Sequence, residues 1–448
     1  MEICTVGGYE EVGKNMTAIK LGEDVIILDA GVYLPPLVER GEYELEEKKI
    51  TLKEMRKRGV LPNDLVLDKL GWKDKVRAII ISHAHLDHIG GIPYLAHRYP
   101  RATIYATPFT MAVLDTLLQD EKIRLNNPRK VVQPDSTHII EGKSGDYKID
   151  FVHTTHSTLQ CVFPAIHTKE GIVFYALDFK IDNFPTLGNP PNYKKLKELS
   201  RKGIKILIVD SLYAGTDRRT PSERIARDLL EEAFSSARSK NAALFITTFS
   251  SHIARLKSIV DFGKRTKRQI VFLGRSLNKY VNAASKVGKC PFQKNIKLVK
   301  YRRQINSLLG KIEKNRGKYL VVCTGHQAEP DSIMDRLVRG KTPFQFRSGD
   351  NVIFSSSVIP TPANILARER MDKRLRSKGV RVQTDIHVSG HGSRGDLRDL
   401  ISILRPKHII PAHGSLQQEA PLIELSTEFG YKFGETSHLT SDGKVLKF

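Results

Sequence analysis

The six residues HAHLDH, His83 to His88, put three histidines and an aspartate directly behind the β-branched run RAIIIS, Arg77 to Ser82. That run reads as a buried strand, and GGIPYLAHRYP behind the cluster starts a helical pattern, so the cluster sits on a strand-to-helix turn. In a His-x-His spacing His83 and His85 share a side and reach one cation, while Asp87 and His88, one turn on, reach a second. Imidazoles and carboxylates in this mixture suit zinc or a similar borderline metal. A polar loop whose histidines only cap the helix is the alternative, and it leaves such a density of ligand types unaccounted for.

A metal site needs further ligands, and three more apolar runs end in one. FVHTTHSTLQ ends in His153 and His156, GIVFYALDFK in Asp178, and HIIPAHGS in His413. Each alone reads as an ordinary polar residue at a strand end. Joined with the first cluster they give a seven-ligand set: His83, His85, Asp87 and His88, one of His153 and His156, Asp178 and His413.

Composition restricts the rest. A chain of 448 residues is too long for one simple core, so two domains are expected. No apolar stretch approaches the roughly 20 residues of a membrane span, and the start MEICTVGGYEEVGK lacks the basic-then-apolar order of a signal peptide. A cytoplasmic protein without a membrane partner is the expectation. Cys4, Cys161, Cys290 and Cys323 show no CxxC spacing, which argues against both a disulfide framework and a thiolate metal site.

The net charge of +23 favours a polyanionic partner with a phosphate backbone. It is unevenly placed: residues 294 to 318 set only Glu313 against nine cations, among them Arg302 and Arg303, the candidates here for phosphate contacts. For any single block, a solvated charged face is the alternative.

Up to residue 208 short strands alternate with helices. From Asp210 the runs ALFITTFSS, QIVFLGRS, YLVVCTGHQ and NVIFSSSVIP each precede a helical stretch, the pattern of a parallel sheet. From about residue 366 helix and strand return, ending in HIIPAHGS. His413 must join His83, so residues 1–208 and 366–448 read as one domain and 209–365 as an insertion within it. TPSE, Thr220 to Glu223, has capping-box spacing with proline at the first helical position, which predicts a helix start. The Glu- and Lys-rich segment Leu37 to Lys75 reads as a helical surface insertion without chemistry.

This ligand pattern resembles the metallo-β-lactamase superfamily and, within it, the β-CASP nucleases. HAHLDH, His156, Asp178 and His413 match that family's metal ligands in order, and ILDAG, with Asp29, its first turn. GGYEEVGKNMTAI, VDSLYAGTDRRTPSE, TTFSSHIARLKSIV, VFLGRSL, VCTGHQAEP, FSSSVIP and HVSGHGS are similar to segments of the ribonuclease J family, so the resemblance spans nearly the whole chain. Bacterial members carry an extra C-terminal domain. This sequence stops about one helix and strand after PAHGS, like the shorter archaeal members.

The resemblance implies an α/β fold, a metallo-β-lactamase αββα sandwich with an inserted β-CASP α/β domain. It implies two zinc ions, with manganese an alternative: His83, His85 and His156 hold one, Asp87, His88 and His413 the other, and Asp178 bridges them. A metal pair about 3.5 to 4 Å apart clamps a hydroxide for attack on phosphorus, and Asp87 counts among the catalytic residues as well. Asp210 and His391 match motifs at the edges of the insertion. His391 would serve the leaving oxygen, and Asp210 would orient its ring. His387 would be a further phosphate or leaving-group contact, or else a structural strand histidine.

Ser355, Ser356, Ser357, Ser389, Gly390, Gly392 and Ser393 would offer hydroxyls and N–H groups to a terminal phosphate, though serine and glycine are equally what tight turns are made of. The implied activity is 5′ to 3′ degradation of single-stranded RNA bearing a 5′-monophosphate, by a homodimer. An endoribonuclease of the cleavage-and-polyadenylation type shares all seven ligands together with Asp210 and His391. A small-molecule hydrolase has no use for the basic insertion, and a non-enzymatic RNA-binding homologue would have lost ligands that are all present here.

Overall fold

A computed structural model of the protein describes residues 1–38, 51–237, 241–359 and 362–448. Part of the segment expected as a helical surface insertion, residues 39–50, lies outside the described residues. The rest of it is not merely superficial, because Met55, Leu61, Leu67 and Trp72 are buried in the core.

The strands before the insertion are β1 (Glu2–Gly7), β2 (Met16–Leu21), β3 (Asp24–Leu28), β4 (Val76–Ile80), β5 (Thr103–Ala106), β6 (Arg129–Val131), β7 (Ser136–Ile140), β8 (Tyr147–His153), β9 (Val162–Thr168), β10 (Gly171–Ala176) and β11 (Ile204–Asp210). The insertion supplies β12 (Leu244–Thr247), β13 (Gln269–Leu273), β14 (Ile296–Val299), β15 (Tyr319–Cys323), β16 (Asn351–Phe354) and β17 (Arg381–Gln383). The last two are β18 (His408–Ala412) and β19 (Lys444–Lys447). Three sheets result, in the orders β19-β1-β2-β3-β4-β5-β6, β18-β11-β10-β9-β8-β7 and β14-β13-β15-β12-β16-β17.

The first two sheets face each other across a dry core of Ile26, Ile80, Phe151, Tyr175, Ile208 and Ile410. Their outer faces are covered by helices, through Ile89, Ile92 and Leu114 on one side and Leu199, Leu397 and Leu422 on the other. This is the expected αββα sandwich. Ala78–Ile80 of β4 and Ile206–Val209 of β11 read as unbroken apolar runs because both faces of these strands are buried there. The third sheet is parallel throughout. One of its covering layers joins Leu256 and Phe272 to Ala84, Phe109 and Val113, so the insertion packs directly on the loop that carries the first histidines.

Strand β18 pairs in parallel with β11, Asp210 opposite Ala412. The chain therefore leaves the sandwich after one strand and returns in its neighbour. The expected return at residue 366 is corrected: that residue lies inside the helix Pro362–Ser377, whose Met371 and Leu375 cover the third sheet, and β17 still belongs to that sheet. The expected helix start at Thr220 also shifts. The helix is Glu223–Ser236, capped by Ser222, because the Thr220 hydroxyl is taken by the His391 carbonyl at 2.8 Å and Ser393 at 2.9 Å.

Behind β18 the helix Leu416–Thr427 buries Glu419, one of whose carboxyl oxygens makes no hydrogen bond. Burial, with Asp442, Glu10 and Glu11 around it, pushes this carboxyl up to about 9. The folded chain thus keeps a proton that the unfolded chain releases near roughly 4.3. Stability from it is complete below that value and is lost as pH rises toward about 9. Glu419→Gln is expected to stabilise the chain more at pH 8 than at pH 5, by at most about 1.4 kcal/mol per pH unit. Thermal melts at the two pH values check this, and equal shifts would show that the carboxyl is ionised in the fold.

Candidate metal centre

Four strand exits at one edge of the sandwich deliver the candidate ligands. The exit of β4 carries His83 and His85, the short helix Leu86–Ile89 carries Asp87 and His88, and the exits of β8, β10 and β18 carry His156, Asp178 and His413. Asp178 (φ 48°), His413 (φ 59°) and Asp29 (φ 57°) adopt left-handed backbone conformations. Such strain in non-glycine residues persists where the surroundings over-determine it. The turn also needs Gly31, since a Cβ there would coincide with the Asp87 carbonyl oxygen.

Four ligand atoms converge first. His85 Nδ1 lies 3.2 Å from His83 Nε2 and 2.9 Å from His156 Nε2, and Asp178 Oδ2 lies 3.4 and 3.5 Å from those two Nε2 atoms. Ligands of one tetrahedral zinc, each 2.0–2.1 Å from it, stand about 3.3 Å apart, so the spacing fits. The second group forms on the other oxygen: Asp178 Oδ1 is 3.1 Å from His88 Nε2 and 3.6 Å from His413 Nε2. Asp87 Oδ2 is 3.7 and 3.9 Å from the same two nitrogens.

Asp178 thus offers one oxygen to each group. Its Oδ1 is buried without a hydrogen bond, and a buried carboxylate oxygen left so is costly unless a cation takes it. Burial also holds His85 and His156 well below the usual imidazole value, with His83 and His391 adding to it. They stay neutral, the state in which imidazole ligates. Donor set and orphaned oxygen together fit divalent cations.

The far nitrogens of these rings are held by residues that, Gly390 apart, the sequence does not mark as part of the site. His88 Nδ1 donates to Asp29 at 2.8 Å, and Asp29 also accepts from the Ser82 amide and hydroxyl. Ser82 Oγ is 3.0 Å from His83 Nδ1, Ser251 Oγ 3.0 Å from His85 Nε2, and the Gly390 carbonyl 2.7 Å from His156 Nδ1. The Asn15 side chain reaches His413 Nδ1 at 2.9 Å. Such contacts fix the tautomer and aim of each ligand. Of the others, only Asp29, closing the run VIIL, carried a signal in the sequence.

His391 and Asp210 meet beside this centre. Asp210 Oδ2 accepts from His391 Nδ1 at 2.7 Å, and His391 Nε2 faces Asp178 Oδ2 at 3.8 Å. Burial works against a charged ring here, but Asp178 and Asp210 push the imidazole up to about 9. His387 does not join the cluster. Its ring lies 5.8 Å from that of Phe249 and its Nδ1 3.4 Å from Arg255, and burial next to that guanidinium pushes it down to about 2.

The serine and glycine candidates divide. Ser355 is fully buried, donating to the Ile386 carbonyl at 2.9 Å and accepting from Arg255 at 2.9 Å. Gly392 donates its amide to the Phe179 carbonyl, and Ser393 caps the helix Arg394–Leu404. These three are committed to the fold, and Gly390 supports His156. Ser389 accepts the His391 amide at 2.9 Å, Ser357 is exposed, and Ser356 is buried with a hydroxyl that makes no hydrogen bond among the described residues. Arg302 and Arg303 lie exposed in the first turn of the helix Arg302–Lys314, away from the ligands. His153 also stays apart, bonded to the Asn189 carbonyl.

A two-sheet sandwich with ligands gathered at strand exits, and a parallel domain inserted against them, defines a metallo-β-lactamase protein of the β-CASP type. Family models agree: a beta-lactamase superfamily domain matches residues 66–219, the ribonuclease J beta-CASP domain residues 241–370, and a Zn-dependent metallo-hydrolase RNA specificity domain residues 379–433. The chain belongs to the ribonuclease J family. It is 37% identical to ribonuclease J of Methanocaldococcus jannaschii over all of this chain and 99% of that one. Identity to ribonuclease J of Pyrococcus abyssi is 38%, over all of this chain and 97% of the relative. In fold it matches a protein of unknown function from Enterococcus faecalis V583, with a TM-score of 0.64 and 15% identity over 99% of each chain. Among the described residues no helix is long and apolar enough to cross a membrane.

Proposed function

We propose that this chain is a two-zinc ribonuclease that degrades single-stranded RNA from a 5′-monophosphorylated end. The observation that carries the hydrolytic reading is Asp178, which turns one oxygen to each histidine group while His391 faces the same carboxylate at 3.8 Å. Divalent cations bound there supply a water nucleophile at neutral pH and neutralise phosphoryl charge. Asp87, His88 and His413 would hold one cation and His83, His85 and His156 the other, with Asp178 offered to both. His391, kept protonated by Asp210, gives its proton to the leaving oxygen.

The end preference is supported by polar atoms left unpaired on the loops that follow β15 and β16. Both ring nitrogens of half-buried His326 are shielded from solvent, and neither they nor the hydroxyl of buried Ser356 make a hydrogen bond among the described residues. The Gln327 side chain donates to the Ser357 carbonyl at 2.8 Å and so ties their two loops together. Phe249 packs 4.3 Å from the His326 ring and offers a base a face. A terminal phosphate on Ser356 and His326 would satisfy these groups.

The test is digestion of RNA labelled at either end and carrying a 5′-monophosphate, hydroxyl or triphosphate, beside a circular form of the same sequence. Mononucleotides should be released from the monophosphorylated linear RNA, with the triphosphate and the circle cut far more slowly. A circle cut as fast as the linear form would replace this reading with the endonuclease one.

A further inference from the structure

The first ligand group, His83, His85 and His156, and the second, Asp87, His88 and His413, are held from different sides. Both rings of the second group rest on the sandwich. Asp29, just after β3, accepts from His88 Nδ1 at 2.8 Å, and Asn15, just before β2, reaches His413 Nδ1 at 2.9 Å. In the first group only His83 has such support, from Ser82 Oγ at 3.0 Å. Its other two rings are held from the insertion and its return. Ser251, between β12 and the helix Ile253–Arg265, places Oγ 3.0 Å from His85 Nε2. The Gly390 carbonyl, on the segment that returns from β17, lies 2.7 Å from His156 Nδ1.

Each of these contacts decides which ring nitrogen is free for a cation. With its proton on Nε2 and donated to Ser251, His85 offers the lone pair of Nδ1. With its proton on Nδ1 and donated to Gly390, His156 offers Nε2. Those two free atoms stand 2.9 Å apart in the ligand group. Both partners are built in. Ser251 is only 8% exposed, and a Cβ at residue 390 would lie 2.9 Å from His156 Cε1, so a side chain there would displace the ring. The backbone of the ligand loop is clamped from the same side. Ala84, between His83 and His85, is fully buried in one core with Phe272, Leu277 and Tyr280 of the insertion, and the Tyr280 hydroxyl donates to its carbonyl at 3.5 Å. Among the described residues no hydrogen bond joins the insertion to His88 or His413.

We infer that the inserted domain completes the first cation site and not the second, with Ser251 and Gly390 as positioning groups for His85 and His156. Binding of that one ion and docking of the insertion on the sandwich are then linked, and such linkage is reciprocal. The docked insertion raises the affinity of the first site, and an ion in that site holds the insertion down. The inference rests on the two-cation reading of the centre and not on the identity of the substrate.

The test is zinc binding by the full chain, measured by competition with a chelating dye, in variants that leave one site at a time. His413→Ala keeps the first group, and on that background Ser251→Ala should weaken the remaining ion by about ten- to a hundredfold, the scale on which partners of metal-bound histidines act. Ser251→Thr, which keeps the hydroxyl, should restore most of the loss. His85→Ala keeps the second group, and there Ser251→Ala should leave the ion unchanged. The reciprocal arm leaves Ser251 in place: zinc should slow amide hydrogen exchange in the helix Arg275–Lys286 of the unaltered chain and of His413→Ala, but not of His85→Ala. Equal weakening of both ions by Ser251→Ala, or of neither, would overturn the inference, and so would exchange in that helix that does not respond to zinc. An unaltered chain that binds no zinc would instead overturn the two-cation reading itself.

Discussion

Asp178→Asn should strip the centre of at least one cation per chain and lower turnover by roughly 10⁴-fold or more, the scale on which loss of an essential group acts. The carboxylate presents Oδ2 to His83 and His156 and Oδ1 to His88 and His413. Asparagine keeps the shape but carries no charge, and it turns an N–H donor toward one of the two groups. Burial opposes ionisation of Asp178, yet His413 and His88 hold its carboxyl well below the usual range, so its anionic character belongs to the site. Metal analysis beside the rate of RNA hydrolysis checks the prediction. Full metal content with full activity would remove Asp178 from the bridging position.

His391→Ala should separate what Asp178→Asn joins. The ring bonds Asp210 at 2.7 Å, and although it also lies within ligand reach of Asp178 and His413, the group of His83, His85, His156 and Asp178 and that of Asp87, His88 and His413 are complete without it. Its loss should therefore leave metal content and RNA affinity in place while kcat falls about 10² to 10⁴-fold, the contribution of a positioned general acid. Asp210→Asn should move in the same direction by a smaller factor, since it removes the orientation of the ring and not the ring. Loss of metal in His391→Ala would show that the imidazole ligates.

The ligands were legible in the sequence because the information is local: each of His83, His156, Asp178 and His413 closes or follows an apolar run, and such runs end where sheets end. What holds those ligands was not. Ser251 lies 166 residues from His85, and Asn15 lies 398 from His413. A small polar residue in a loop carries no mark of the partner it will meet.

Ser355 was misplaced for a related reason. It follows β16 as a pocket hydroxyl would, but Arg255 takes it. That guanidinium is 0% exposed and also pairs with Glu223, and on the amphipathic run SHIARLKSIV it reads as an outward charge. The helix Pro362–Ser377 was assigned to the returning sandwich because its charged sequence hides the two apolar residues, Met371 and Leu375, that dock it on the third sheet. His326 carried no chemical signal of its own, a lone histidine behind the run YLVVC.

The proposed binuclear centre is tested most directly by stripping the chain with a chelator and restoring zinc, and in parallel manganese, by titration, with bound metal and RNA hydrolysis followed together. Two ions should bind per chain and activity should rise steeply only as the second site fills. Full activity at one equivalent, or activity that survives complete removal of metal, would contradict it.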